Sequence, residues 1–325
     1  MIYGANGYTG RMASLYAKSL GIDLIVAGRT DDKINNFASS LNLPCRVFDV
    51  TFSHLVDSAL NGVSVLLNCA GPFIRTAEPL MEACIRNKVH YLDTAAELDT
   101  YRLAEKLDQK SKEANVMLMP GCGGSVAMLG CLAGHVVERV QNASRIDVAL
   151  HVAGPMSRGS AISAAENMTT ECLQRVDGEL VEQDATNTSL FDFQDGNGYV
   201  TSHPITLPDL ITIWKATKVA NIRVFVHASE TAFPTQALDT LPDGPTSEER
   251  DAHPYHAAVS VTASDGVTSN AVLHTVNGYT FTSMASAEAA KRVLAGEAQG
   301  GFQTPAFIFG NDFIKSIAGS NIIDL

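Results

Sequence analysis

Basic residues are scarce in this 325-residue chain. Its 23 lysines and arginines stand against 35 aspartates and glutamates, a formal net charge of −12 with a pI near 5.1. A nucleic-acid partner calls for a basic face, so none is expected. The six cysteines, Cys45, Cys69, Cys84, Cys122, Cys131 and Cys172, contain no CxxC pair and no Cys/His spacing of a zinc site, and no metal site is expected. No secretory leader is legible, so the thiols are expected to be reduced and the protein cytoplasmic. Repeats and low-complexity arrays are absent, as is any Ser/His/Asp triad spacing. One uncharged run calls for a membrane check: Val116 to Val137 holds no Asp, Glu, Lys or Arg, and its length lies in the membrane-spanning range. Pro120-Gly121-Cys122-Gly123-Gly124 breaks it early. It reads as a buried strand, a turn and a buried helix, not as a membrane span.

What is present begins at the first residues. Met1-Ile2-Tyr3 runs into Gly4-Ala5-Asn6-Gly7-Tyr8-Thr9-Gly10 and then into a helical stretch. A short apolar strand, a glycine turn and a helix open a dinucleotide-binding βαβ unit. The first glycine serves the tight turn, the second the approach of backbone to pyrophosphate, and the third the packing of helix on strand. The helix N-terminus then offers free N–H groups and a positive dipole end to the phosphates. The spacing is GxxGxxG, a weak signal alone. A second strand, Leu24 to Gly28, follows about 20 residues on, where the ribose-recognising residue belongs. Arg29 stands there in place of an acid. Its planar fork suits a 2′-phosphate and favours NADP(H); the alternative leaves Arg29 in solvent and gives the ribose to Asp31 or Asp32. Only three residues precede Gly4, fewer than the about 5–6 of an ordinary strand, so either the first strand is short or native residues precede Met1.

Strand and helix patterns alternate through the first 120 residues. Strands are expected at 23–28, 45–49, 63–68, 89–93 and 116–119, and helices at 10–20, 31–41, 53–61, 76–87 and 98–115. This is an α/β pattern, a doubly wound Rossmann parallel sheet with helices on both faces. Ligands of such sheets bind at the carboxyl ends of the strands. That rule selects Gly4, Asn6, Gly7, Tyr8, Thr9 and Gly10, then Arg29, then Asn68, Ala70, Gly71 and Pro72, then Asp93, then Pro120 to Gly124. Beyond the buried helix the pattern changes to α+β. Strands are expected at 146–152, 222–228 and 257–264, and a Trp-bearing helix near 209–219. A further helix is expected at 158–176, with Ala161, Ala164, Ala165 and Met168 on one face. Residues 240–256 are polar and proline-rich and read as an exposed excursion or lid.

Several segments together resemble the saccharopine dehydrogenase-like oxidoreductases. Tyr3 to Gly10 is similar to their GATGYTG loop. Ala27-Gly28-Arg29, Asn68 to Phe73, and Ala83-Cys84 through His90-Tyr91-Leu92-Asp93-Thr94 with Glu97 follow in family order. Ser157 to Ala161, Leu207-Pro208-Asp209, and Gly301 to Pro305 with Phe309-Gly310 extend the likeness over nearly the whole chain. The resemblance implies an NADP(H)-binding domain over 1–122, an α+β substrate and dimerisation domain over 123–285, and a segment 286–325 that packs back on the first domain. It also implies a small-molecule substrate and a homodimer. One departure stands out: relatives often carry GFDxxPxD after the sixth strand, whereas Gly123 to Gly130 reads Gly-Gly-Ser-Val-Ala-Met-Leu-Gly. Both acids and the proline are missing. The multiply charged substrates of lysine metabolism need paired charges, so a bulkier, less charged substrate is expected.

The candidate chemistry follows from these placements. In a nicotinamide enzyme the cofactor does the chemistry and the protein orients it. Tyr91 and Asp93 follow the fifth strand and are candidate catalytic residues; equally, Tyr91 packs in the core and Asp93 caps the next helix. Arg158 is a candidate anchor for a substrate carbonyl or carboxylate, or a structural ion pair. Cys122, Gly123, Gly124 and Trp214 are candidate pocket residues, though free cysteine is usually a small buried hydrophobe and Trp214 suits core packing. His151, His203 and His227 show no usable spacing. The reading is an NADPH-dependent reductase of a C=N bond in a small metabolite other than saccharopine. The alternatives are an enoyl (C=C) reductase, a catalytically inactive NADP(H)-binding sensor or partner protein, and an internal-redox enzyme that keeps its cofactor.

Overall fold

The computed structural model describes residues 1–167, 171–234 and 236–325. The first unit alternates strand and helix: β1 (Ile2–Tyr3), α1 (Tyr8–Ser19), β2 (Val26–Gly28), α2 (Asp31–Leu41), β3 (Cys45–Val47), α3 (Ser53–Ala59), β4 (Val65–Asn68), α4 (Phe73–Asn87), β5 (His90–Asp93), α5 (Leu98–Lys106), α6 (Asp108–Glu113) and β6 (Met117–Met119). All of these strands pair in parallel. Strand β1 is two residues long yet central, bonded to both β2 and β4.

The uncharged run resolves as the sequence predicts, with β6, a turn at Gly121, and helix α7 (Gly124–Val137). This helix is buried nearly all round, because it lies between the two units. The second unit contains β7 (Ala143–Val152), α8 (Arg158–Asn167), β8 (Leu173–Val176), β9 (Glu179–Glu182), β10 (Ser189–Asp192), β11 (Tyr199–Pro204), α9 (Asp209–Thr217), β12 (Asn221–Ala228), α10 (Ser247–Ala252), β13 (Tyr255–Ala263) and β14 (Thr268–Thr275). The helix expected over 158–176 is described as Arg158–Asn167, and Leu173–Val176 is a strand. Met168 of its expected apolar face lies outside the described residues. The reason is local: Asp177 and Gly178 both have positive φ, the two-residue hairpin turn that pairs Val176 with Glu179.

The chain returns to the first unit through α11 (Gly278–Leu294), earlier than the expected 286. It then adds β15 (Gly301–Phe302) and α12 (Pro305–Phe309), and ends in β16 (Asn321–Asp324). The parallel sheet has the order β15-β6-β5-β4-β1-β2-β3, and the second sheet runs β10-β11-β12-β7-β13-β14-β16 with β8 and β9 appended to β12. The last strand thus rejoins the second sheet. No helix of the described residues is long and apolar enough to cross a membrane.

Period-two alternation orients the second sheet. Ile146, Val148 and Leu150 of β7 face the main core with α7. Ala149 faces outward with Phe225, Ala258 and Val272, under Phe191 and Phe193 of the segment around β10. Helix α11 packs against α1, α7 and the ends of β4 and β5, and its Phe281 is fully buried. Truncating an aromatic at such a site removes apolar burial and leaves a cavity, at a cost of about 3–5 kcal/mol. Phe281→Ala is therefore expected to lower the urea midpoint of unfolding strongly. A midpoint shift no larger than that of an exposed control such as Phe307→Ala would show that α11 does not hold the two units together.

Candidate functional site

The glycine loop has the geometry its spacing predicts. Gly4 sits at φ +76, and a Cβ there would lie 2.8 Å from Ala70. Gly10 lies inside α1, where a Cβ would meet the Gly4 carbonyl oxygen at 2.2 Å. Gly7 differs: it is the exposed N-cap of α1, and a Cβ there meets only the Gly4 oxygen at 3.2 Å. The first and third glycines are required by the fold itself. The second leaves an opening over the helix N-terminus, which fits a pyrophosphate. Asn6 and Thr9 are half-buried along the same loop, and the Asn6 side chain lies over Gly28. Arg29 is exposed just beyond β2 and makes no ion pair among the described residues, so it is available to a 2′-phosphate.

The carboxyl ends of β4, β5 and β6 are tied by a buried polar knot. Tyr91, Asp93 and Asn68 are all fully buried. The Tyr91 hydroxyl donates to Asp93 Oδ2 at 2.8 Å and accepts from Asn68 Nδ2 at 3.2 Å. Asp93 Oδ1 accepts from the backbone of Ala95 at 2.9 Å and of Gly121 at 2.8 Å. Asn68 Oδ1 accepts from the Ala70 backbone at 3.0 Å. Burial pushes the Asp93 carboxyl up to about 7, against the pull of its three donors, and pushes the Tyr91 phenol well above its ordinary value. Asp93 therefore does not cap the next helix, whose N-cap is Glu97. Tyr91 and Asp93, expected as catalytic residues, have their polar atoms turned into this knot, which shapes the loops at Gly71, Pro72 and Gly121. Gly71 is exposed, and Ser163 of α8 lies over it, 3.3 Å from where its Cβ would be.

The proline-rich excursion folds down on the glycine loop. Gly244 presses on the Tyr8 ring, leaving no room for a Cβ. The Tyr8 hydroxyl donates to the Pro245 carbonyl and accepts from Arg250 at 2.8 Å. Asp243 is shared by Arg11, at 2.9 Å, and Arg158. Arg11, with Arg158 and Lys33 adding charge, holds the Asp243 carboxyl below its ordinary value. Arg158 also donates to the Leu241 carbonyl at 3.2 Å. Arg158, expected as a substrate anchor, is here a clasp between α8 and the excursion. Ion pairs as exposed as these contribute roughly 0–1 kcal/mol, so close packing on Tyr8 sets the fit.

The head of α7 holds a feature that the sequence did not reveal. Ser125 Oγ donates to Asp209 Oδ2 at 3.2 Å. Ser125 is half-buried, whereas Asp209 is fully buried with its Oδ1 unpartnered among the described residues. Burial lifts the Asp209 carboxyl to about 7. Ser125 occupies the place of the first acid in GFDxxPxD, so a carboxyl from the second unit stands behind the position where relatives carry one. Cys122 is fully buried and its thiol is pushed well up by burial. Gly123 packs on Thr282 of α11, where a Cβ would fall 2.9 Å from the Thr282 carbonyl oxygen. Trp214, expected in the pocket, does not join this group: Arg175 covers its ring at 4.4 Å and Lys218 at 4.8 Å. The second sheet and the turn after β10 bring His151, Asp195 and His256 together. Their separations in sequence match no known ligand spacing; strand register unites the two histidines and the hairpin adds the aspartate.

Two outcomes test the cofactor cradle. Arg29→Ala is expected to weaken NADPH at least about 10-fold while changing NADH little, since only the former carries the phosphate its fork pairs. Equal losses in a fluorescence titration would remove that assignment. Gly7→Val is expected to lose NADPH affinity with a much smaller fall in melting temperature than Gly10→Val, since a Cβ meets the Gly4 oxygen at 3.2 Å in the first and 2.2 Å in the second. Retained affinity in the Gly7 variant would place the pyrophosphate elsewhere.

Comparison with known proteins agrees with this geometry. Residues 1–119 match the model of the saccharopine dehydrogenase NADP binding domain. The chain is 26% identical over 131 residues to the trans-acting enoyl reductase of Mycobacterium leprae, covering 38% of this chain and 31% of that one. It is 24% identical over 143 residues to the human saccharopine dehydrogenase-like oxidoreductase, covering 38% and 33%. The matched part is thus about a third of each of these two relatives' length. Saccharopine dehydrogenase (L-Glu forming) from Saccharomyces cerevisiae superposes with a TM-score of 0.70 at 13% identity, over 100% of this chain and 99% of that one, a likeness of fold. Over residues 1–119 the chain is thus similar to the NADP-binding domain of the saccharopine dehydrogenases, and over its whole length it shares the fold of one of them.

Proposed function

We propose that the protein is an NADPH-dependent reductase of a C=N bond in a small, weakly charged metabolite, not saccharopine itself. The observation that carries this reading is the Ser125–Asp209 pair at the head of α7. When bound, the cofactor supplies the hydride to the imine carbon. The nitrogen needs a proton: with Asp209 protonated, its acid hydrogen is donated to Ser125 Oγ, the serine hydroxyl turns its own hydrogen to the nitrogen, and transfer leaves Asp209 as the carboxylate. A carboxyl lifted to about 7 is matched to that task near neutral pH. Cys122, Gly123 and Gly124 leave the cleft floor without charge, in keeping with a substrate of low charge. Asn68, Tyr91 and Asp93 act as positioning residues that hold the strand-end loops, and the Tyr8–Gly244 contact closes the cleft over the loop.

A second reading is reduction of an enoyl C=C bond, favoured by the identity shared with the trans-acting enoyl reductase. The same hydroxyl would then protonate the carbon next to the carbonyl. Following nicotinamide absorbance with cyclic imines and with enones separates the two. Tight NADPH binding without turnover on either panel would sink both and leave a cofactor-binding sensor.

The pH dependence is specific. A general acid works while protonated, so kcat is expected to hold below about pH 7 and fall as Asp209 ionises above it. Removing such an acid costs about 10²-fold or more. Asp209→Asn is therefore expected to lower kcat by that order and to abolish the alkaline fall, and Ser125→Ala to lower kcat similarly. An Asp209→Asn variant with wild-type kcat and the same alkaline limb would overturn the relay.

A further inference from the structure

The outer face of the second sheet carries a row of imidazoles. His227 pairs with His151 across β12 and β7, His151 with His256 across β7 and β13, and His256 with His274 across β13 and β14. Adjacent rings lie 5.0, 5.6 and 4.6 Å apart between centroids. Four such residues directly opposite one another on four neighbouring strands share one face, because side chains alternate with period two. The turn after β10 lowers Asp195 onto this row.

We propose that His151, Asp195 and His256 form a binding site for a divalent transition-metal ion of the zinc class, independent of the cofactor cleft. One ligand atom from each residue lies within 4.8 Å of the others. Asp195 Oδ2 is 3.4 Å from His151 Nδ1. Zinc bonds of about 2.0–2.1 Å in tetrahedral geometry separate neighbouring ligand atoms by about 3.4 Å, so this edge is already set. The other two edges need only small side-chain rotations.

The polar accounting points the same way. His151 Nδ1 and His256 Nδ1 are both buried without a hydrogen-bond partner among the described residues. Buried ring nitrogens ordinarily have one, and a single cation between them satisfies both. The side chains of His151 and Asp195 are only 13% and 9% exposed. Burial, with the neighbouring imidazoles His274 and His151, holds His256 at about 4. Burial and His227 hold His151 below its ordinary value. Both rings are thus neutral at neutral pH and ligate without first losing a proton. Asp195 is held below its ordinary value despite burial, because Asn197 donates to it from backbone and side chain, both at 3.1 Å. Those Asn197 bonds also orient the carboxylate, as outer partners of metal ligands do. His227 has its Nδ1 bonded to the Thr201 carbonyl at 2.9 Å and lies outside this group, so water is the fourth ligand of a tetrahedral ion here.

Two imidazoles and one carboxylate suit zinc, copper or nickel better than magnesium or calcium. Bound there, the ion joins the β10–β11 hairpin to β7 and β13 of the sheet, so it acts as a staple. The test is zinc binding by the full chain, purified without a polyhistidine tag and stripped with chelator, in competition with a chromophoric indicator. One equivalent is expected per chain, with a rise in melting temperature. Loss of an outer partner alone weakens metal sites about 10–100-fold, so His256→Gln and Asp195→Asn are each expected to weaken zinc at least about 10-fold. The second variant keeps a residue able to form the same turn. NADPH affinity, unchanged in both, shows that they are folded. Absence of saturable zinc binding in the wild type would overturn the site. Zinc held equally well by the His151→Gln/His256→Gln double variant would do the same, assigning it to other side chains such as the cysteines.

Discussion

One buried carboxyl holds the edge of the parallel sheet on which everything else is mounted. Asp93 takes hydrogen bonds from its own strand's Tyr91, from Ala95 in the following loop, and from Gly121 beyond β6. Through Tyr91 it reaches Asn68 and the loop beyond β4. A carboxyl removed from water is costly unless its oxygens are satisfied, and here each oxygen is. Three loops that would otherwise move independently are thereby set relative to one another. They are the loops that a doubly wound sheet turns toward its ligand.

The second unit meets that edge at two places, with different physics. Over the glycine loop, contact is mostly shape: Gly244 lies on the Tyr8 ring, and exposed arginines share Asp243 at its flank. At the head of α7, contact is a buried polar pair. Ser125 and Asp209 come from different helices, 84 residues apart, and burial raises the acid to about 7. The chain carries serine at the head of α7 and a buried aspartate behind it.

Much of the first unit was legible because its rules are local. Alternating apolar strands and helical stretches, punctuated by glycine turns, place Gly4, Gly7, Gly10 and Arg29 by spacing alone. Local reading failed where a turn outcompeted periodicity. Asp177-Gly178 turned an expected helix into the β8–β9 hairpin, since both residues take positive φ that a helix cannot contain. It also failed for Tyr91, whose position at a strand end was plain but whose hydroxyl direction was not. Trp214 suited core packing by its sequence context and does pack against the main core, with Arg175 and Lys218 over its ring.

The sequence by itself determined the Rossmann architecture, the glycine loop and the place of Arg29 at the end of the second strand, since each rests on residues close along the chain. Only the tertiary structure decided which polar groups are buried together. Asp209 stands behind Ser125 because α9 packs on α7. His151, Asp195 and His256 converge because β7 and β13 pair in one register and a hairpin folds across them. Proximity of that kind comes from long-range packing and strand register, and burial, which shifts these groups' proton affinities, exists only once the chain has folded.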